Sequence, residues 1–230
     1  IKEVRVLKGY GRVEPPTHLD YRSVWGGEGG NSQEKWLPAI EAFGEGIFIK
    51  FDERKISKWE EDLNVINRIK KIIPHYEDNI FSSVLFNPSP RTILLHTFSH
   101  LFIKSLIFVA GYSGPSIKER IYSTEENFNK DMAGVLIYTT DTDSQGTLGG
   151  LQEQANNIDI ITIMKKMIIT SSWCSLDPVC IESENDVQLG MTLNLSSCHA
   201  CSIIAETSCE NFNRMLDRKL LIDEKYGFFK

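Results

Sequence analysis

The longest hydrophobic stretch of the chain runs over positions 93–110 and is interrupted by His96, His100 and Lys104. Leu94, Leu95, Phe98, Leu101, Phe102 and Leu106 recur at helical spacing, Pro88 and Pro90 precede them, and Gly111 follows. Proline at the entrance and glycine at the exit are the usual punctuation of a helix, so the pattern predicts one over 91–109. Two histidines and a lysine within eighteen residues suit a bilayer poorly, and the segment reads as the buried helix of a soluble protein.

Upstream, residues 4–13 alternate loosely around Gly9 and Gly11 and predict a bent strand. Residues 15–33, rich in Pro, Gly and polar side chains, predict a long loop or insertion. Residues 46–51 predict a strand, with Asp52 as the cap of a following helix. Trp59, Leu63, Ile66, Ile69, Ile72 and Ile73 predict that helix over 54–76. A short helix is expected at 116–122 and a buried strand at 133–139. A polar Gly-rich turn follows at 141–150, then a helical stretch with Ile160, Ile161, Met164, Met167 and Ile168 on its core face, and a last helix near 210–221. The mixture predicts an α+β fold, with helices, a small sheet and a metal-stapled C-terminal helical lobe. The division expected is an N-terminal segment, 1–90, and a cysteine-rich domain, 91–230.

Composition changes this picture little: 41% hydrophobic and 24% charged residues are ordinary for a globular chain. Charge matters more. The net charge of -6 argues against a free-standing nucleic-acid binder, because phosphate neutralisation supplies most of such affinity. Any DNA contact is expected through a local patch or a partner. The chain opens at Ile1 on what reads as mid-domain sequence without a signal peptide, which favours a fragment or trimmed form in a reducing cytosol.

The chemistry concentrates at the end. Cys174, Cys180, Cys198, Cys201 and Cys209 all fall in the last 57 residues, in the pattern C-x5-C-x17-C-x2-C-x7-C. An odd, clustered set with a C-x-x-C pair suits a metal better than disulfides. Two thiolates three positions apart can share one edge of a tetrahedron with bonds of about 2.3 Å, which favours Zn2+, although an iron–sulfur cluster also takes four thiolates. Cys198 and Cys201 are the firmest pair and Cys180 the next. Cys174 and Cys209 compete for the fourth place, and spacing does not decide between them. His199 is expected to point away from the metal.

Three sets of residues carry a family resemblance: Leu95-His96-Thr97-Phe98-Ser99-His100-Leu101, Gly134-Val135-Leu136-Ile137-Tyr138, and Cys174-Ser175-Leu176-Asp177-Pro178-Val179-Cys180 with Cys198-His199-Ala200-Cys201 and Glu206-Thr207-Ser208-Cys209-Glu210. Together with Trp36-Leu37-Pro38-Ala39 they resemble the cysteine-bearing domain of MrfA-type repair helicases and of DrmB-like proteins of the DISARM anti-phage system. The resemblance implies zinc ligation by the five cysteines as candidates. It also implies a non-catalytic role beside a superfamily-two helicase in defence against phage, with DNA reached through the complex. The wide gap between Cys180 and Cys198 departs from the compact C-x-C of helicase-linked members.

Other constellations are weaker. His96 and His100 share a helix face but lack the glutamate that a zinc hydrolase places after the first histidine, so buried, hydrogen-bonded histidines are expected. A metal-dependent nuclease would draw on Asp141, Asp143 and one of those histidines, and no acid/base constellation supports it. A redox sensor built on the cysteines is a third reading. Glu41, Glu45, Glu60 and Glu61 are expected at the surface, and Arg214, Arg218 and Lys219 as a basic face on the last helix, the first choice for a DNA or partner contact.

Overall fold

In the computed structural model, which describes residues 1–7, 9–10, 22–23, 36–125, 130–139, 150–156, 159–183 and 193–230, the apolar run folds as a 21-residue helix, α4 (Pro90–Ala110). Ser89 caps it by accepting from the Thr92 amide, and Gly111 ends it in the left-handed conformation at φ 71°. Its first ten residues after Pro90 are buried on every side, the polar ones among them bonded inward, as Arg91 is to Glu60 and Thr97 to the Ile93 carbonyl. By length and composition α4 could cross a membrane, but 72% of that window is buried inside the protein, so it is the core helix.

Three antiparallel strands in the order β5 (Glu45–Lys50), β7 (Lys130–Thr139), β6 (Lys118–Glu125) pack against α4. Ile47 pairs with Ile137, and Ala133, Val135 and Ile137 alternate inward, while Phe48 lies exposed on the far face. Gly46 sits opposite Tyr138 where the strands run close. A Cβ there would lie 2.8 Å from the Ile137 carbonyl oxygen and 2.6 Å from Ile1 Cδ1. Gly46→Ala is therefore expected to destabilise the protein by about 1–3 kcal/mol, the usual cost of overpacking, visible as a lower thermal midpoint. The chain begins in a separate antiparallel ribbon, β1 (Lys2–Val6) with β4 (Ala39–Phe43), and a short pair, β2 (Gly9–Tyr10) with β3 (Arg22–Ser23). The long loop expected at 15–33 lies, apart from β3, outside the described residues.

Several elements differ from the sequence expectation. The helix expected over 54–76 is three pieces, α1 (Glu53–Glu60), α2 (Leu63–Ile69) and α3 (Ile73–Glu77). Asp62 breaks it by accepting from the Asn64 amide and starting α2, which leaves Leu63 exposed and Val65 in the core. Where a helix was expected at 116–122, a 3-10 turn (Gly114–Ser116) leads into β6, because pairing with β7 overrides local propensity. The stretch after 150 is α5 (Gly150–Asn156) and α6 (Asp159–Thr170), with Ile163 rather than Ile161 buried. Glu45 is buried, not a surface acid: it accepts from the Leu151 and Gln152 amides at the start of α5 and from the Tyr112 hydroxyl. The last helix is only α7 (Lys219–Ile222). Before it the backbone turns repeatedly through positive φ at Phe212, Asn213 and Met215.

That irregular segment removes the expected basic face. Arg218 is fully buried and ion-paired to Asp177 at 2.7 Å, while Arg214 lies over the Phe81 ring at 4.9 Å. Asn213 holds the turn, its side chain bonding both the amide and the carbonyl of Ile204.

Candidate metal centre

Two turns bring four cysteines together. Just beyond α6, Asp177 accepts from the amides of Cys174 (2.7 Å) and Ile181 (3.0 Å) and draws the 174–181 stretch into a tight coil, with Arg218 bonded to the same carboxylate. Despite its desolvation, those bonds hold the Asp177 carboxyl below its ordinary range. Opposite, the Cys198 amide donates to Cys201 Sγ at 3.2 Å, which closes the C-x-x-C turn, and Lys104 Nζ on α4 donates to the Ala200 carbonyl at 3.1 Å.

The thiol sulfurs of Cys174, Cys180, Cys198 and Cys201 all lie within 4.8 Å of one another. Separations are 3.5 Å for Cys174–Cys198 and 3.7 Å for both Cys180–Cys201 and Cys198–Cys201. A disulfide would bring two sulfurs to about 2.05 Å. A zinc ion with bonds of about 2.3 Å separates tetrahedral sulfurs by about 3.8 Å. The spacing fits one zinc ion, and it is too tight for a four-iron cluster, whose own width would spread the thiolates. Cys174 and Cys180 are buried, and Cys198 and Cys201 partly so. Amide and hydroxyl donors aim at the sulfurs: Leu176 N to Cys174, and Ser202 Oγ to Cys201 at 3.1 Å.

The electrostatics of the group point the same way. The Cys180 thiol, donating to Cys201, lowers the Cys201 pKa to about 4, with Ser202 and the Cys198 amide assisting. The same Cys180–Cys201 bond, with burial, pushes Cys180 far upward, and burial raises Cys174. Four thiols this close cannot all ionise without a cation between them. A bound zinc ion would supply that charge and most of the cohesion of the surrounding turns.

Cys209 is elsewhere. After a 3-10 turn at Glu206–Ser208 it points toward α4 and β6, where its sulfur lies 3.2 Å from His96 Nε2. His96, His100, Glu119 and Cys209 present one ligand atom each, all within 4.8 Å of one another. Both histidines are buried, as expected, and Glu119 is 1% exposed. Burial opposes a charged His96 ring, but Glu119 and then Cys209 outweigh it and hold its pKa up to about 9. Desolvation likewise opposes the Glu119 charge, yet His100 and His96 hold its carboxyl well below the ordinary range. Both shifts express the mutual attraction of the imidazoles and the carboxylate. Sequence reading missed Glu119 because it placed that segment on a helix. On β6 the residue alternates inward between Ile117 and Ile121.

Residues 98–202 match the MrfA Zn-binding domain family, a span that contains all four clustered thiols and excludes Cys209. DISARM protein DrmB of Bacillus paralicheniformis is 43% identical over 243 aligned positions, 100% of this chain. This chain is DrmB-like and carries a MrfA-type zinc-binding domain. It spans about 41% of the length of that relative. In this DrmB-like chain the four thiols hold the zinc-binding geometry, and His199 is exposed beside them. Of the residues named for a nuclease, His96 and His100 are 1% and 0% exposed, and Asp141 and Asp143 lie outside the described residues. An open groove of about 620 Å³ runs beside the site between α4 and α6, lined by Phe108, Val109, Trp173, Lys104 and Lys166 with Cys201 at its floor.

Proposed function

We propose that this chain is a non-catalytic, zinc-binding part of an anti-phage defence complex of the DISARM type, acting in the cytoplasm beside a superfamily-two helicase. The observation that carries the reading is the four-thiol cluster inside a domain of the MrfA Zn-binding family, on a chain 43% identical along its whole length to a DISARM protein. A site with four protein sulfurs around one ion leaves no coordination position for a reacting water, which makes it a structural staple rather than a Lewis-acid centre. Phosphate neutralisation needs clustered cations. With Arg218 buried and Arg214 over Phe81, DNA binding is assigned to the complex and not to this surface alone.

Expression of the full-length protein with a helicase encoded beside it provides the test. The expected result is stable co-purification of the two, and tighter DNA binding by the pair than by either alone. A protein that remains a lone monomer, indifferent to helicase and DNA, overturns the proposal.

A further inference from the structure

We propose that His96, His100, Glu119 and Cys209 form a second mononuclear metal site, selective for a transition-metal dication with zinc the best fit. The assignment is independent of the defence role and of the four-thiol site.

Geometry carries it first. His96 Nε2 lies 3.2 Å from both Cys209 Sγ and Glu119 Oε1, and His100 Nε2 lies 3.3 Å from the same carboxylate oxygen. Bonds of about 2.0 Å to nitrogen or oxygen and 2.3 Å to sulfur place the corners of a tetrahedron about 3.3–3.6 Å apart. Three of the six separations already stand close to that spacing, and all four ligand atoms lie within 4.8 Å of one another.

The hydrogen bonds around the group orient its lone pairs inward. His100 Nδ1 is 2.9 Å from the Ser202 carbonyl, which can only accept, so Nδ1 carries a proton and Nε2 is the nitrogen turned toward the centre. There Nε2 makes no hydrogen bond, although it is fully buried and faces a carboxylate oxygen. A buried imidazole nitrogen and a carboxylate oxygen facing each other in a dry core need a proton or a metal ion between them. A backbone carbonyl on the far nitrogen is the common arrangement for a metal-bound imidazole. Cys209 Sγ accepts from the amides of Asn211 (3.3 Å) and Asn213 (3.2 Å), bonds that suit a thiolate. Glu119 is steadied by the Ser99 hydroxyl and by the Glu210 amide at 3.2 Å.

Charge balance completes the case. Two neutral imidazoles, one carboxylate and one thiolate sum to minus two, and a dication makes the buried group neutral. The donor set of nitrogen, sulfur and one oxygen selects zinc, cobalt or iron over magnesium or calcium, which take oxygen. With four protein ligands the site is closed. It ties α4 and β6 to the C-terminal loops, and through His100 and Ser202 it adjoins the Cys201 turn of the first site.

The test is a full elemental panel on protein purified without added metal, joined to X-ray absorption at the metal edge. Two equivalents of transition metal per chain are expected. The first shell should mix nitrogen or oxygen near 2.0 Å with sulfur near 2.3 Å, about five sulfurs shared over two ions. Cys209→Ser should halve the metal content and leave an all-sulfur shell. One equivalent with only sulfur around it in the unaltered protein overturns the proposal, and this measurement decides even where the variant does not fold. A folded Cys209→Ser protein that keeps both equivalents with an unchanged shell also overturns it.

Discussion

Cys201→Ser is expected to abolish zinc binding at the four-thiol site and to melt the described turns between α6 and α7, while the sheet and α4 persist. Among the described residues 171–218, regular structure is limited to one 3-10 turn, Glu206–Ser208, and the remaining backbone bonds are turn contacts apart from two that join 195–196 to 216–218. Such segments bury too little apolar surface to offset the entropy of ordering them. Metal binding supplies roughly 10–16 kcal/mol in small zinc modules, and there the free energy of binding is free energy of folding. Cys201 is the informative position because its sulfur collects the Cys198 amide, the Ser202 hydroxyl and two neighbouring thiols. Elemental analysis should show one zinc fewer, and hydrogen exchange should show lost protection across 174–183 and 193–204 with protection retained in α4. A variant that stays fully protected without its zinc would show that packing, not the ion, holds the lobe.

Arg68→Met is expected to produce the next largest loss, about 3–5 kcal/mol of stability. Arg68 and Asp217 are buried at 2% and 0% exposure, and they make two parallel bonds, Nε to Oδ2 at 2.5 Å and Nη2 to Oδ1 at 2.9 Å. The guanidinium also donates to Ser196 and lies 4.9 Å from the Tyr226 ring. Removing it strands a carboxylate in a low-dielectric core, which costs more than the pair contributes while intact. For a chain of this size the thermal midpoint should fall by roughly 10 °C or more. Arg68→Met combined with Asp217→Leu should recover part of the loss, because the uncompensated charge is gone. The Lys219 amide, which donates to Asp217, keeps that recovery incomplete. Thermal unfolding of both variants provides the check, and a single variant within about 1 kcal/mol of the parent would mean that water reaches Asp217.

The pair also shows why the C-terminal region was hard to read. Arg68 and Asp217 are 149 positions apart and look like ordinary surface charges in sequence. The same holds for Arg218, whose side chain reaches inward past Ser171 to Asp177 instead of outward to a partner. A run of Asn, Arg and Asp around 211–218 resembles a solvated helix until its side chains are seen bonding the backbone: Asn213 to Ile204, Asn211 to the Phe86 amide and Asp217 to the Ser196 amide.

What the amino-acid sequence determined by itself are the features encoded within a few residues. The buried core helix follows from an apolar run between Pro90 and Gly111, the central strand from a short apolar segment, and the zinc turn from Cys198 and Cys201 three positions apart. The α+β fold and the choice of zinc over disulfides follow from the same local signals. Only the tertiary structure decided which thiols stand close enough to share an ion. Cys174 reaches Cys198 because Asp177 and Arg218 pin its turn, and Cys209 is carried to two histidines and a glutamate on other elements. Ligand sets of that kind are assembled from positions more than a hundred residues apart, and spacing along the chain carries no record of which loops fold back to meet.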